Sequence, residues 1–344
     1  MDFNLDYTLE FLEEIINISS PSGDTKEVMD RVEREFKELG LNWKKTKKGA
    51  SYAVLEGENT KESILLTAHV DTLGAMVKEI KSNGRLKMSK IGGYSWGAVE
   101  GENVNIKTTE GKIFTGTILP EESSVHIFDN VNDFKKTDDS MEIRIDEKTT
   151  SPEETRELGI EVGDFVSFFP RFILTENGYI KSRHIDDKAC VAVLLSVCKY
   201  FLENNLKPKY TTYFYVADYE EIGHGLYFIP ENIKEIVAVD IGTVGGSHRS
   251  LERAVTIMAK DGVTPYDLEL KNKFVKLSKE NEINYRIDIS KNYGSDASTA
   301  LRQGNDVRVG CIGPGVDSTH HYERTHREAL ESTIKLVSSY LLSE

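Results

Sequence analysis

Three stretches of the chain, "SILLTAHVDTLG" (63–74), "KYTTYFYVADYEEIG" (209–223) and "IKEIVAVDIGT" (233–243), share one pattern: a β-branched or aromatic apolar run, then acidic residues, then glycine. A run that is apolar at nearly every position has no solvent face, so each reads as a strand buried on both sides. Between the first two lies "DDKACVAVLLSVCKYFLENN" (186–205), whose apolar residues recur with a period near 3.6. Strands thus alternate with helices, which predicts an α/β fold with a mixed central sheet and helices on both faces. In such sheets ligands gather at the carboxyl ends of the strands. The acids follow the strands at those ends. The chain opens as helix, loop, helix in "LEFLEEIINISSPSGDTKEVMDRVEREFKELG", with Ser22 or Asp24 expected to cap the second helix.

From 73 to 166 the pattern changes. "GRLKMSKIGGYSWGAVEGENVNIKTTEGKIFTGTILP" is rich in turn signals and short alternating strands, and helical periodicity returns only at "SPEETRELGI". This predicts a small β-rich domain inserted into a larger one built from 1–72 and 167–344, with "EVGDFVSF" leading back. A length of 344 residues at 39% hydrophobic is enough for two such cores. The formal charge of -14 argues against nucleic acid or an anionic membrane as partner, since both reward clustered Lys and Arg. No stretch approaches the ~18 apolar residues of a membrane span, and the first residues carry acids where a signal peptide carries bases, so cytoplasmic residence is expected. Cys190, Cys198 and Cys311 are odd in number and form no CxxC pair, which suits small core residues in a reducing compartment.

The acids and histidines can supply a two-metal hydrolytic centre. Such a centre needs ions about 3.5–4 Å apart, a bridging carboxylate, terminal ligands and a free carboxylate as base. His69 in "AHVDT" is a candidate ligand, with Asp71 on the same strand face to orient its imidazole. Asp186, in "HIDDKA", is expected at a helix start, where free N–H groups favour a charged bridge, and Asp187 is its neighbour. Adjacent residues at a strand end point apart, so in "DYEEIG" Glu221 is assigned as ligand and Glu220 as general base. Asp240 adds a terminal ligand, and "STHHYERTH" offers a second histidine among His320, His321 and His326. Each motif alone has an ordinary reading as strand, turn or cap. Their common location at one sheet edge favours the catalytic one.

In order and spacing, "SSPSG", "TAHVDTLG", "GGYSW", "GKIFTGTILP" with His126 following, "GDFVSF", "IDDKAC", "EEIG", "VAVDIG" and "YGSDA" resemble the M42 metallo-aminopeptidases, the tetrahedral aminopeptidase group of the di-zinc exopeptidase clan. The resemblance runs over nearly the whole chain. It implies one metal held by His69 and Asp240, a second by Glu221 and a C-terminal histidine, Asp186 bridging and Glu220 as base. His320 is favoured over His321 because "THxYERTH" resembles a divergent variant of the motif, and His326 is expected in the following helix. The implied cofactors are two divalent ions, zinc first, with cobalt or manganese as substitutes. The implied substrates are short peptides cleaved at the amino terminus. The implied assembly is a dimer formed through the inserted domain, built further into a hollow tetrahedral dodecamer. Two positions depart from the family: Lys188 stands where Arg is usual, and the C-terminal histidines lack the Arg-Tyr-x-His-Ser context. Asp296 in "YGSDAS" is either a pocket residue or a cap. The rival readings are a metal-dependent deacylase or carboxypeptidase, an endoglucanase acting through a metal-free carboxylate pair, and a non-catalytic scaffold. The intact ligand set opposes the last.

Overall fold

The three apolar runs lie in one sheet of the computed structural model, which describes Met1 and residues 3–344. Strands Tyr210–Ala217, Asn59–His69, Ile233–Val239 and Arg308–Asp317 run parallel in that spatial order. Ser51–Leu55 pairs antiparallel at one side, and Glu323–His326 and Tyr179–Ser182 pair antiparallel at the other, so the sheet is mixed. The pleat divides each central strand between two cores. Ile64, Leu66, Ala68, Phe214, Val216, Val237 and Val239 enter one, together with helices Leu5–Ile16, Lys26–Glu38, Ile185–Glu203, Leu268–Glu280 and Arg327–Leu342. Leu65, Tyr215, Ala217, Ile236 and Ala238 enter the other, against helix Asp296–Arg302. Both faces are covered, which is why these strands carry no polar alternation.

Helix Ile185–Glu203 is buried on every side from Ile185 to Cys198 rather than along one stripe, as expected of a helix enclosed in a large core. Phe36, Phe201, Phe214 and Phe274 are fully buried. Each contributes roughly 1.5–3 kcal/mol relative to an exposed ring.

Register decides what meets at the strand ends. His69 lies opposite Ala217, and Thr67 lies opposite Ala238. Because side chains alternate, His69 shares the face of Leu65 and Thr67, while Asp240 continues the face of Ile236 and Ala238. The two therefore project to the same side.

Three local expectations are corrected. The N-cap of helix Lys26–Glu38 is Thr25, with no side-chain hydrogen bond; Ser22 instead donates to Asp71 Oδ2 at 2.5 Å. Asp186 (ψ 106°) and Asp187 (φ -122°, ψ 20°) have non-helical backbones, so regular helix begins only after them and free helix-terminal amides are not what holds Asp186. Glu220 and Glu221 lie beyond the strand end, in a 3-10 turn, Glu220–Ile222, closed by Gly223 at φ 78°. In a turn of three residues per revolution neighbours diverge by about 120°, and this separates the two glutamates without a pleat.

These elements belong to a compact unit formed by Met1–Asp71 and Arg171–Glu344; Thr72–Pro170 forms a second. The second is a closed six-stranded barrel around Val77, Met88, Ile106, Ile118, Ile143 and Val166. Strand Phe165–Phe168 pairs with both Gly74–Ile80 and Asn103–Lys107 and so closes the barrel, which carries the unit on to Pro170. Gly116 is required there, since a Cβ would stand 2.7 Å from the Arg144 carbonyl oxygen. Within this unit Val125 and Ile127 remain 66% and 74% exposed, and His126 is exposed between them.

Candidate metal centre

Asp71 is the hub of the strand-end loops. Its carboxylate accepts the backbone N–H of Glu220 at 3.0 Å, the N–H of Glu221 at 3.2 Å and the Ser22 hydroxyl. It also stands 3.4 Å from His69 Nδ1, which in addition contacts the Asp71 carbonyl oxygen at 3.0 Å. With Nδ1 engaged, Nε2 is the ring atom left to face the cluster.

His69 Nε2 faces Asp186 Oδ1 at 3.4 Å and Glu220 Oε2 at 3.6 Å. On the other side, His320 Nε2 faces Asp186 Oδ2 at 3.6 Å and Glu221 Oε2 at 3.4 Å. Asp186 thus stands between two imidazoles, one oxygen to each. Two ligands bound tetrahedrally at zinc distances of 2.0–2.2 Å stand about 3.4 Å apart, so these separations fit donors that share an ion. A closely spaced trio also exists among the described residues: His69, Asp187 and Asp240 offer ligand atoms within 4.8 Å of one another. Asp187 is fully buried, its Oδ2 accepts the His69 N–H at 3.1 Å and its Oδ1 has no hydrogen-bond donor. That leaves Asp187 a second carboxylate beside His69. Asp186 alone spans both imidazoles.

The electrostatics demand a counter-charge. Burial, with repulsion from Asp186, pushes Glu221 up to about 8 and Asp240 up to about 7, against the opposing pull of the His69 imidazole. Burial also pushes Glu220 well above the carboxylate range, with Asp240, Asp296 and Glu221 adding repulsion. Although burial opposes charge on His69, the carboxylates of Asp186 and Asp71 hold its imidazole well above the usual value. Burial disfavours ionised Asp186 too, but the two imidazoles outweigh it and pull its carboxyl down. So many acids crowded out of water fit cations in their midst far better than they fit one another.

The remaining sequence candidates separate cleanly. His321 is exposed, with Nδ1 taking the Tyr322 N–H, whereas His326 is buried and caps helix Arg327–Leu342 through the Glu328 N–H. Lys188 is buried and donates to the carbonyls of Ile15 and Ile18 at 2.8 and 2.7 Å, tying down the end of the first helix. Asp296 is the first residue of its helix; Ser295 is the cap, and Asp296 accepts from Thr67 Oγ1 at 3.2 Å. Sequence reasoning passed over Glu323, which is 2% exposed and bonds the backbones of both Asp186 and His320. Its only signal was an acid three residues after His320, at the head of the short polar strand Glu323–His326.

A cavity of about 380 Å³ opens beside this cluster, lined by Asp186, Glu220, Glu221, Asp240 and His320, together with Ile241, Tyr293 and Arg302.

The M42 glutamyl aminopeptidase family model matches residues 49–336. YhfE of Bacillus subtilis (strain 168), provisionally named an aminopeptidase, is 44% identical over 337 residues, covering 98% of this chain and 97% of its own. An aminopeptidase from the archaeon Desulfurococcus kamchatkensis has a similar fold, with a TM-score of 0.88 at 21% identity over 99% of this chain and 96% of that one. So does the TET1 peptidase of Pyrococcus horikoshii, which can assemble into a tetrahedron or a large octahedral shell, with a TM-score of 0.85 at 24% identity over 98% and 100%. Among the described residues no helix is long and apolar enough to cross a membrane.

Proposed function

The chain belongs to the M42 glutamyl aminopeptidase family, and from that premise we propose that it is a two-metal aminopeptidase that removes amino-terminal residues from short peptides. The observation that carries this reading is the pair of contacts made by Asp186, 3.4 Å to His69 Nε2 and 3.6 Å to His320 Nε2, on the wall of the cavity. His69 and Asp240 would hold one ion, Glu221 and His320 the other, and Asp186 would bridge. Zinc suits this donor set, with cobalt or manganese as substitutes.

Bound divalent ions supply Lewis acidity at such a centre, lowering the pKa of water and polarising the scissile carbonyl. The chain's own residues do the rest. Glu220 Oε2 takes the proton of the attacking water and returns it to the departing amine, a role suited to a carboxyl on the cavity wall whose pKa burial raises. Asp71 fixes both the His69 ring and the turn that aims Glu220. The free α-amine of the substrate is drawn to the surplus carboxylates, which restricts cleavage to the chain end.

Self-association through residues 72–170 is supported by the exposed Val125 and Ile127. A cytoplasmic site of action is supported by the three free, buried cysteines.

The test is a panel of aminoacyl-p-nitroanilides and short peptides, free and N-acetylated, with and without chelator. Cleavage of free amino termini alone, lost on chelation and restored by zinc, is expected. Hydrolysis of N-acetylated peptides, or glucan hydrolysis that survives chelation, would overturn the reading.

A further inference from the structure

Glu323 opens strand Glu323–His326 and pairs there with Ser182. Its Oε2 accepts the N–H of Asp186 at 3.0 Å and its Oε1 the N–H of His320 at 3.0 Å. These two amides belong to the residues whose side chains face each other across 3.6 Å. Neither residue is held by regular structure. Asp186 lies outside the helical region at ψ 106°, and His320 sits at φ 62°, where a Cβ is crowded. A non-glycine residue in that region costs roughly 1–2 kcal/mol and persists only where its surroundings fix it. Ser318, in the same loop, is also left-handed at φ 58°. One buried side chain therefore ties together two irregular backbones, 137 and 3 residues away along the chain.

We infer that Glu323 is a positioning residue for the second metal site, its carboxylate clamping the Asp186 and His320 amides and thereby setting the spacing of the bridging and terminal ligands. The inference rests on the two-metal reading above. Both side-chain oxygens accept a backbone N–H here, which a carboxyl group can do and an amide cannot. Gln would turn an NH2 group toward one of the two N–H donors. Asp keeps the charge but is one methylene too short to reach both. The geometry is selective, since Glu323 engages His320, which would serve one ion, and Asp186, which would serve both, so its loss should fall most heavily on the ion that His320 would hold.

The experiment uses the full chain, stripped by chelator, as wild type, Glu323→Gln and Glu323→Asp. Each is titrated with Zn2+ against a chromophoric chelator to read two dissociation constants, alongside thermal unfolding of the metal-free forms and kcat and KM of the reloaded ones. The expected result is tenfold or greater weakening of one constant in E323Q, with a clearly smaller loss in the other, a lower kcat at little-changed KM, and an intermediate loss in E323D. Two unchanged constants in a folded variant, or equal weakening of both, would overturn the inference. Failure of both variants to fold would also overturn it, by making Glu323 a support of the core. A wild type that binds no Zn2+ would instead sink the two-metal reading beneath it.

Discussion

The backbone N–H of Glu220 donates to Asp71 Oδ1 at 3.0 Å, so the residue two positions after His69 fixes the turn that carries the proposed base. The same carboxylate takes the Glu221 N–H and the Ser22 hydroxyl, and stands 3.4 Å from His69 Nδ1. Replacing Asp71 by Asn leaves one oxygen where two served four donors. Groups that orient ligands in this way typically cost about 10–100-fold in metal affinity or activity when changed. Asp71→Asn is expected to lose that much kcat/KM and to weaken metal retention, read by steady-state kinetics and metal analysis of the dialysed protein.

Glu220→Gln separates base from ligand. The variant keeps the side-chain volume and is expected to retain both ions, while kcat falls by at least about 10²–10⁴-fold, the usual span for a general base. Near-normal turnover at full metal content would remove Glu220 from the mechanism.

Removing the metal makes stability depend on pH in a set direction. In the metal-free fold Glu221 titrates near 8 and Asp240 near 7, above their unfolded values. The folded chain then binds more protons than the unfolded chain between about pH 4.5 and 8, so stability falls as pH rises across that window. His69, whose charge the folded state favours, adds to the same slope as pH climbs above about 6.5. A melting temperature that declines from pH 5 to pH 8 in chelator, and recovers when zinc is added, is expected. Zinc binding at pH 6 should release protons to the buffer, because ligands must be deprotonated. A flat or rising profile without metal would contradict the cluster's electrostatics.

Outside the set of proposed metal ligands, Asp288 Oδ2 accepts the N–H groups of Arg249 and Ser250 and the Ser250 hydroxyl at 2.7, 2.8 and 2.7 Å. Burial raises its pKa, but the Ser250 contacts and the Ile289 and Arg249 N–H groups outweigh it and depress the carboxyl. A depressed folded pKa contributes stability above the unfolded value and loses it as pH falls through the folded one. Asp288→Asn is expected to cost about 2 kcal/mol at pH 7, the scale of hydrogen bonds to a charged acceptor. The gap from wild type should close below about pH 4, where wild-type Asp288 also begins to protonate. Urea titrations at the two pH values check both.

The strands, the enclosed helix and the location of the acids at strand ends were legible because they depend on local chemistry. A run such as "ILLTA", β-branched and bounded by turn signals, reads as a strand with both faces covered, and an acid just past it reads as lying at the sheet's edge. The sequence places His326 in the final helix, and the structure sets it one position earlier, as the cap, since the same few residues fit a strand end or a helix start. Ser22 looked like a cap for a similar reason, because a hydroxyl before a helix is locally sufficient, and only the fold brings Asp71 close enough to claim it.

The sequence by itself determined which residue types reach the edge of the sheet: His69, Asp71, Glu220, Glu221 and Asp240 each follow a buried run, and burial pattern is written in neighbours one to four positions away. Tertiary structure alone decided that Asp186 stands between His69 and His320, that Glu323 grips the backbones of two of those three, and that His320 rather than His321 turns inward. The relations made by Asp186 join segments more than a hundred residues apart through irregular backbone, and no local periodicity or propensity encodes the distance between two loops that only strand register brings together.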